Sequence, residues 1–503
     1  MKHTSYETFK HAFQTYKTVV YSARYFVDGL TPIHITQQLQ DQVAFLLESR
    51  DDESSWSRYS FIGLNPLYQL KEVDGKYYTF NQSGHTIIEE DSFKEALDVT
   101  MSYLNVEPVD LPIPFRGGAV GYMSYDAIET IEPKLKRDSE NAVPHYHFLF
   151  CETMLAYDHV QKELIIMVHL PVEEQTDLKS LYKEGEQKVA TVLGQLEKSV
   201  SHFSPTGVPE NHTDVSFDGV ESNYTKQSFM RDVQIIQDYI KAGDVFQTVL
   251  SQQFTMPVTV SALDIYRVLR LINPSPYLFY LRYDQLEIVG SSPERLVQVQ
   301  DRHVEIHPIA GTRPRGNTPE EDKRLAEELL ADEKERAEHY MLVDLARNDV
   351  GRIATYGSVQ TPKLVEIGLF SHVMHIVSKV TGELHEDTQP LEALMASFPA
   401  GTVSGAPKIR AMEILQELEP TKRGIYAGAI GYLGYDGNID SCIAIRTMTI
   451  QNGKAMIQAG AGVVADSDPE SEYKETQNKA KALIRAVQVA ESMFQKKEAS
   501  HHV

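Results

Sequence analysis

The sequence predicts an α+β fold built on large antiparallel β-sheets. Short runs rich in β-branched and aromatic residues recur at strand length, as at 246–254, 277–283 and 287–290. Two later runs, 428–435 and 439–450, are joined by Asp436-Gly437-Asn438, a strong hairpin signal. Such direct strand-to-strand connections outnumber strand–helix–strand alternations, which argues for antiparallel rather than parallel sheets.

In chain order, residues 1–200 read as mixed strand and helix, with strands at 117–122 and 164–170, the latter closed by Pro171. Between 196 and 221 the composition shifts to Ser, Pro, Gly, Asn and His (SHFSPTGVPENH), a linker signature. The expected division is an N-terminal domain 1–200, a linker 201–222 and a second domain 223–495. Phe229, Val233, Ile236 and Ile240 then repeat at helical spacing, with Gly243 placed to stop the helix. A long charged stretch at 319–348 reads as helix, and 455–464 as another strand. The last helix opens at Asp468-Pro469, a cap followed by proline in the first turn, and runs to about Phe494.

Composition narrows the function. The chain has 503 residues, Lys+Arg 48 against Asp+Glu 71, and a formal charge of −23. That balance repels nucleic acid and anionic lipid, so neither is expected as a partner. An anionic substrate would need a local cation from Arg, Lys or metal. The two cysteines, Cys151 and Cys442, form no CxxC or Cys/His cluster, which argues against a disulfide framework or a zinc site. The start, MKHTSYETFKHAF, lacks the apolar core of a secretory leader. No apolar run approaches the ~20 residues of a membrane span. The cytoplasm is the expected compartment.

Several residues could carry chemistry. Glu472, Glu475 and Lys479 share one face of the last helix, beside an apolar stripe of Thr476, Ala480, Leu483 and Val487. Glu335 and Glu338 lie one turn apart on an earlier helix. Two acidic faces could converge on a hard cation such as Mg²⁺, although spacing alone favours a solvated face closed by a Glu475–Lys479 pair. The segment Phe398-Pro-Ala-Gly-Thr-Val-Ser-Gly-Ala-Pro-Lys408 fails as a phosphate loop, because Pro407 precedes the lysine and Ile409 follows it. Gly401, Thr402 and Gly405 could still present backbone N–H groups to an anion, as could Gly311-Thr312 and Gly460-Ala461-Gly462. Arg446, read as part of an alternating strand, suits a carboxylate, whether of a substrate or of the protein. His375 is a candidate acid or base, or a satisfied core residue.

Taken together, Pro308-Ile-Ala-Gly-Thr-Arg-Pro-Arg-Gly316, Glu338-His-Tyr-Met-Leu-Val-Asp-Leu-Ala-Arg-Asn-Asp349, the 398–408 segment, Gln458-Ala-Gly-Ala-Gly462 and Glu472-Tyr-Lys-Glu-Thr476 resemble the motifs of the chorismate-binding enzymes. These motifs span about 225–490 in the family's order. The resemblance implies antiparallel sheets packed as a sandwich with helices outside. It implies Glu338 and Glu475 as Mg²⁺ ligands, with Glu335 and Glu472 behind them. Gly311, Thr312, Thr402, Tyr426, Arg446, Gly460, Ala461 and Gly462 resemble the contacts to chorismate. Glu294, in Ser-Ser-Pro-Glu-Arg, resembles the general acid that protonates the departing C4 hydroxyl, and His375 the histidine tied to loss of the side chain as pyruvate.

Two positions separate the family's branches. Gln247 stands where the isochorismate and salicylate synthases carry a water-activating lysine, which implies ammonia as nucleophile. Ala310 stands where aminodeoxychorismate synthases, the alternative reading, carry lysine. The implied branch is the anthranilate synthases, which make anthranilate and pyruvate. Leu46-Leu47-Glu48-Ser49 and Asn273-Pro-Ser-Pro-Tyr277 resemble the family's tryptophan feedback pocket, with Ser49, Pro276, Tyr277 and Leu278 as contacts; a purely structural pocket is the alternative. Neither cysteine resembles an amidotransferase nucleophile, so glutamine-derived ammonia is expected from a separate amidotransferase subunit.

Overall fold

The computed structural model describes residues 2–50, 55–137, 141–199, 215–370 and 373–498. Two antiparallel sheets share their two longest strands, Tyr59–Val73 and Tyr146–Asp158. The first sheet runs in space from Thr18–Phe26 through Glu163–Pro171, the two shared strands, Val43–Glu48, Tyr277–Arg282, Glu287–Ser292, Thr447–Gln451 and Lys454–Val463 to Gln247–Pro257. The second runs from Lys76–Asn81 through the other ends of the shared strands to Gly118–Met123, Ala429–Gly434, Ile439–Ile443, Arg295–Gln300, His303–Ile306 and Val373–Glu383. One shared strand passes between sheets at Asn65-Pro66, where Asn65 has φ 50° and the register slips between Pro66 and Tyr68. A proline is tolerated inside a strand at such an irregularity.

Strand alternation explains the layering. Along Tyr146–Asp158, Leu149, Cys151, Met154 and Ala156 point between the sheets, where Phe45, Phe279, Val120 and Tyr432 meet them. Phe148 and Phe150 point to the outer face of the second sheet. Leu155 and Tyr157 point to the outer face of the first. Helices Leu178–Ser199, Ala262–Ile272 and Pro469–Glu498 cover the first sheet, and Phe93–Leu104, Glu333–Gly351 and Pro390–Ser397 the second. The protein is a sandwich of antiparallel sheets with helices outside, as its sequence predicts.

The two halves of the chain contribute to the same sheets. Val43–Glu48 pairs with Tyr277–Arg282, and Gly118–Met123 with Ala429–Gly434. Residues 201–214 of the expected linker lie outside the described residues. Its remainder is held: Val215, Phe217 and Val220 pack on the first sheet's outer core, and Glu221–Ser222 pairs with Thr255 and Phe254.

Helix Lys226–Ala242 ends at Gly243, which takes φ 87°, the left-handed geometry its position requires. The 319–348 stretch is two helices, Pro319–Ala331 and Glu333–Gly351. Asp332 divides them, because its side chain caps the second by accepting from the N–H groups of Lys334 and Glu335. The final helix buries Thr476, Ala480, Leu483 and Val487, the stripe read from its periodicity. Among the described residues no helix is long and apolar enough to cross a membrane.

Candidate active site

The site is assembled from strand ends, one tight turn and two helices. Strands Gln247–Pro257 and Lys454–Val463 pair so that Ser251 faces Gly460 and Val249 faces Gly462. A side chain at Gly460 would crowd a ring hydroxyl and the neighbouring strand, and one at Gly462 would require Gln247 to move. A Cβ on Gly460 would sit 2.8 Å from the Tyr426 hydroxyl, and one on Gly462 2.7 Å from Nε2 of Gln247. Ala461 between them is fully buried and directed to the other face.

Arg446 does not continue a strand. The run read as 439–450 is two strands, Ile439–Ile443 and Thr447–Gln451, each paired to a different neighbour. Arg446 turns the chain between them with φ 48°, its carbonyl accepting from the N–H of Ser291 at 3.1 Å. That turn sets its guanidinium near Glu294, whose carbonyl accepts from the N–H of Ile443 at 3.0 Å. The Glu294 carboxylate also accepts the Thr402 hydroxyl at 2.9 Å. Thr402 lies in the single turn Gly401–Val403, and a side chain at Gly401 would collide with Leu345 of the Glu333–Gly351 helix. Burial pushes the Glu294 carboxyl up to about 7, against the opposing pulls of Thr402, Arg446 and Lys479. Glu294 is therefore substantially protonated at neutral pH.

His375 lies on Val373–Glu383 opposite Ile309–Pro314, where the register slips between Ala310 and Arg313. Gly311 takes φ 65° in this bulge, which turns its carbonyl to accept from Nδ1 of His375 at 2.8 Å. The Thr312 hydroxyl is 3.1 Å from the same nitrogen. With the Nδ1 proton committed to a carbonyl, Nε2 carries the lone pair. Burial pushes the imidazole below its ordinary pKa, so the neutral form dominates.

The two acidic helix faces lie near enough for the charge of Glu475 to act on Glu338. Burial raises the Glu338 carboxyl above its ordinary range, and the neighbouring charges of Glu335 and Glu475 raise it further, while a hydrogen bond from Gln247 opposes them. Glu472 is raised by burial and by Glu475. Arg313 holds Glu335 at 3.2 Å. Glu475 pairs with Lys479 at 2.7 Å, and Lys479 also donates to the Gly460 carbonyl at 2.9 Å. Among the described residues no three acidic, imidazole or thiol groups gather as a full metal-ligand set. Glu338 and Glu475 still fit Mg²⁺, which commonly takes one or two protein carboxylates and fills its shell with water and substrate oxygens. Their mutual repulsion is what a cation between them relieves.

Ser49, Pro276, Tyr277 and Leu278 line one cavity, because Val43–Glu48 pairs with Tyr277–Arg282 and sets Leu278 opposite Glu48. Leu47, Tyr59, Phe61 and Tyr432 supply apolar and aromatic walls, and Asp440 a carboxylate. The Tyr277 hydroxyl donates to Asp440 at 2.8 Å and accepts from Arg295 at 2.7 Å. Sequence reasoning missed Arg295 and Asp440, which sit in strands whose neighbours are not evident from spacing. It also missed the buried Arg423–Glu419 pair at 2.7 Å beneath Tyr426, for which i,i+4 spacing was the available signal. Lys408 turns away from the glycine-rich segment to Asp349, at 3.5 Å. The two cysteines are buried, which pushes both thiols up and leaves neither as a nucleophile.

A carboxyl raised to about 7 beside a half-buried guanidinium is an arrangement able to transfer a proton near neutral pH. Residues 44–485 match the model of the chorismate binding enzymes, and the chain belongs to that family. It is 50% identical over 490 residues to anthranilate synthase component 1 of Geobacillus stearothermophilus, with 96% of each chain covered. To the protein of that name from Bacillus subtilis (strain 168) it is 51% identical over 478 residues, 94% of this chain and 92% of that one. The crystal structure of anthranilate synthase component I from Streptococcus pneumoniae TIGR4 superposes with a TM-score of 0.72 at 38% identity, covering 92% of this chain and 98% of that one.

Proposed function

We propose that the chain converts chorismate and ammonia to anthranilate, pyruvate and water, as the chorismate-using component of an anthranilate synthase. The observation that carries this reading is the Glu294 carboxyl, raised to about 7, fixed by Thr402 and set beside Arg446. Hydroxide is a poor leaving group. A carboxylic acid still protonated near neutrality gives the C4 hydroxyl a proton, so that it departs as water while ammonia adds at C2. Arg446 suits a substrate carboxylate. His375, neutral with Nε2 free, takes the C2 proton as the C3–O bond breaks, which aromatises the ring and frees the side chain as pyruvate. Gln247 is an amide engaged with Glu338 and has no basic lone pair with which to activate water. Ammonia is therefore the nucleophile. Ala310 leaves no amine at the position that marks the branch retaining the pyruvyl ether.

Glu338 and Glu475 would hold Mg²⁺, with Glu335 and Glu472 behind them; once bound, the ion would neutralise and orient the carboxylate of chorismate. With Arg446 and Lys479 it resolves how a chain of charge −23 retains a dianion. Ammonia is drawn from glutamine by a separate amidotransferase subunit. The cavity of Ser49, Pro276, Tyr277 and Leu278 takes tryptophan as a feedback inhibitor, its aromatic walls suited to an indole. Strand pairing between the chain's two halves gives such a ligand a path to the catalytic strands.

The test is the product of chorismate, Mg²⁺ and ammonium at alkaline pH, followed by anthranilate fluorescence and pyruvate release. Equal yields of both are expected. An aminated product without pyruvate would overturn the assignment.

A further inference from the structure

Beneath Tyr426 lies a buried side chain that bonds to three separate parts of the chain around the site. Arg423 is 4% exposed. Its Nε and Nη2 donate to the two carboxylate oxygens of Glu419 at 2.8 and 2.7 Å. Nη2 also donates to the Val249 carbonyl at 2.7 Å, and Nη1 to the Val403 carbonyl at 2.7 Å. The guanidinium lies 4.5 Å from the Tyr125 ring centroid and 5.7 Å from that of Tyr426.

Each partner leads into the active site. Val403 closes the turn whose Thr402 donates to Glu294. Val249 belongs to the strand that pairs with Gly460–Gly462. Tyr426 brings its hydroxyl to Gly460. Glu419 reaches the same strand again, accepting from the N–H and hydroxyl of Ser251 at 2.9 and 2.7 Å.

Stability does not account for this pair. Desolvating two ions costs about as much as their attraction returns, and a buried ion pair often gives way to apolar residues without loss. Glu419 ends the Lys408–Leu418 helix, where a negative charge meets the negative end of the helix dipole, so the location is unfavourable without Arg423. What the pair provides is a rigid planar fork fixed on two backbone carbonyls and one carboxylate at once.

We propose that Arg423 is a positioning residue: it holds the Gly401–Val403 turn and Tyr426 in register, and thereby fixes the Thr402–Glu294 hydrogen bond on which proton delivery depends. This rests on the general-acid reading of Glu294. The charged groups facing Glu294 are Arg446 and Lys479, and neither is altered when Arg423 is changed. Thr402 favours the ionised carboxylate, so loosening the turn raises the pKa of Glu294 as well as misplacing its proton.

The experiment compares Arg423→Lys, Thr402→Val, the double variant and Glu294→Gln in the full chain. The steady state is measured with chorismate and Mg²⁺ at a fixed concentration of unprotonated ammonia. Arg423→Lys keeps the charge but cannot reach all three segments. It is expected to lower kcat about tenfold or more while the chorismate KM stays within about threefold. The alkaline limb of kcat should move to higher pH in Arg423→Lys and in Thr402→Val alike. The double variant should lose no more than the worse single one, because both act through the same hydrogen bond. Losses that multiply, or an alkaline limb that stays in place, overturn the proposal while the general-acid reading stands. Activity retained in Glu294→Gln overturns that reading instead. If Arg423→Lys does not fold, Glu419→Gln replaces it: a neutral amide in the same shape loosens the fork, and the same shift of the limb is required.

Discussion

Glu294→Gln separates catalysis from stability with one change. The amide keeps the shape and can still accept from Thr402, but it has no proton to deliver. General acid catalysis is worth about 10²–10⁴ in rate, so kcat should fall by that factor. The same substitution should stabilise the fold at alkaline pH. The carboxyl rises from 4.5 to about 7 because folding buries it. A raised carboxylate pKa means that the folded state binds the proton more tightly than the unfolded chain. Between the two values the unfolded state ionises first, and stability falls as pH rises through that window. The shift corresponds to about 3 kcal/mol above pH 7, an upper figure because Glu294 keeps some solvent contact. Glutamine escapes the penalty. Thermal melts of the two proteins should therefore coincide at pH 4 and diverge towards pH 8, with the variant melting higher. Anthranilate fluorescence supplies the activity arm. Activity within tenfold of the parent, or a melting difference that does not grow with pH, would refute the buried general acid.

Three further outcomes follow from the same geometry. Glu475→Gln should raise the Mg²⁺ concentration for half-maximal activity by about tenfold or more; the Glu338 carboxyl, freed of a neighbouring charge, should titrate lower, and an unchanged Mg²⁺ requirement would remove Glu475 from the ligand pair. Gly460→Ala places a Cβ 2.8 Å from the Tyr426 hydroxyl and 3.0 Å from Val249 Cγ1, and overpacking of this kind costs about 1–3 kcal/mol; a lower melting temperature and reduced kcat are expected, and a parent-like enzyme would show that the cleft tolerates a methyl group. Ser49→Phe puts a phenyl ring into the cavity that Tyr277 and Tyr59 also line; tryptophan inhibition should disappear with activity in its absence retained, and undiminished inhibition would place the effector elsewhere.

Local chemistry was legible in the sequence, and long-range pairing was not. The Gly243 stop, the Asp436-Gly437-Asn438 hairpin and the stripe of Thr476, Ala480, Leu483 and Val487 depend on neighbours within a turn or two, and the structure has each of them. Asp332 was overlooked inside a run of helix formers, because a single capping side chain outweighs the propensities around it. The alternation of Ile443 and Ile445 predicts a strand through Arg446. The structure turns the chain there because Ile439–Ile443 and Thr447–Gln451 belong to different sheets. No local pattern encodes that handover. The Asn65-Pro66 crossing and the sharing of sheets by the chain's two halves escaped for the same reason: the first depends on partners more than eighty residues away in sequence and the second on partners about three hundred away.

The site shows why such an arrangement needs long-range assembly. A carboxyl must be buried to remain an acid near neutrality, yet it must lie beside cations to serve an anionic substrate, and cations lower its pKa. One contiguous segment rarely meets both demands. Here burial comes from the packed sheets, while Arg446 comes from a turn between two strands and Lys479 from the last helix, where Glu475 and the Gly460 carbonyl already draw on its ammonium group. The balance leaves Glu294 at about 7 rather than near 4. Releasing Lys479 from Glu475, as Glu475→Gln does, makes its charge more available to Glu294. That variant should therefore shift the alkaline limb of kcat to lower pH, opposite in sign to the shift expected when Thr402 is lost. Two distant substitutions moving one titration in opposite directions would locate the proton donor at Glu294 by electrostatics alone.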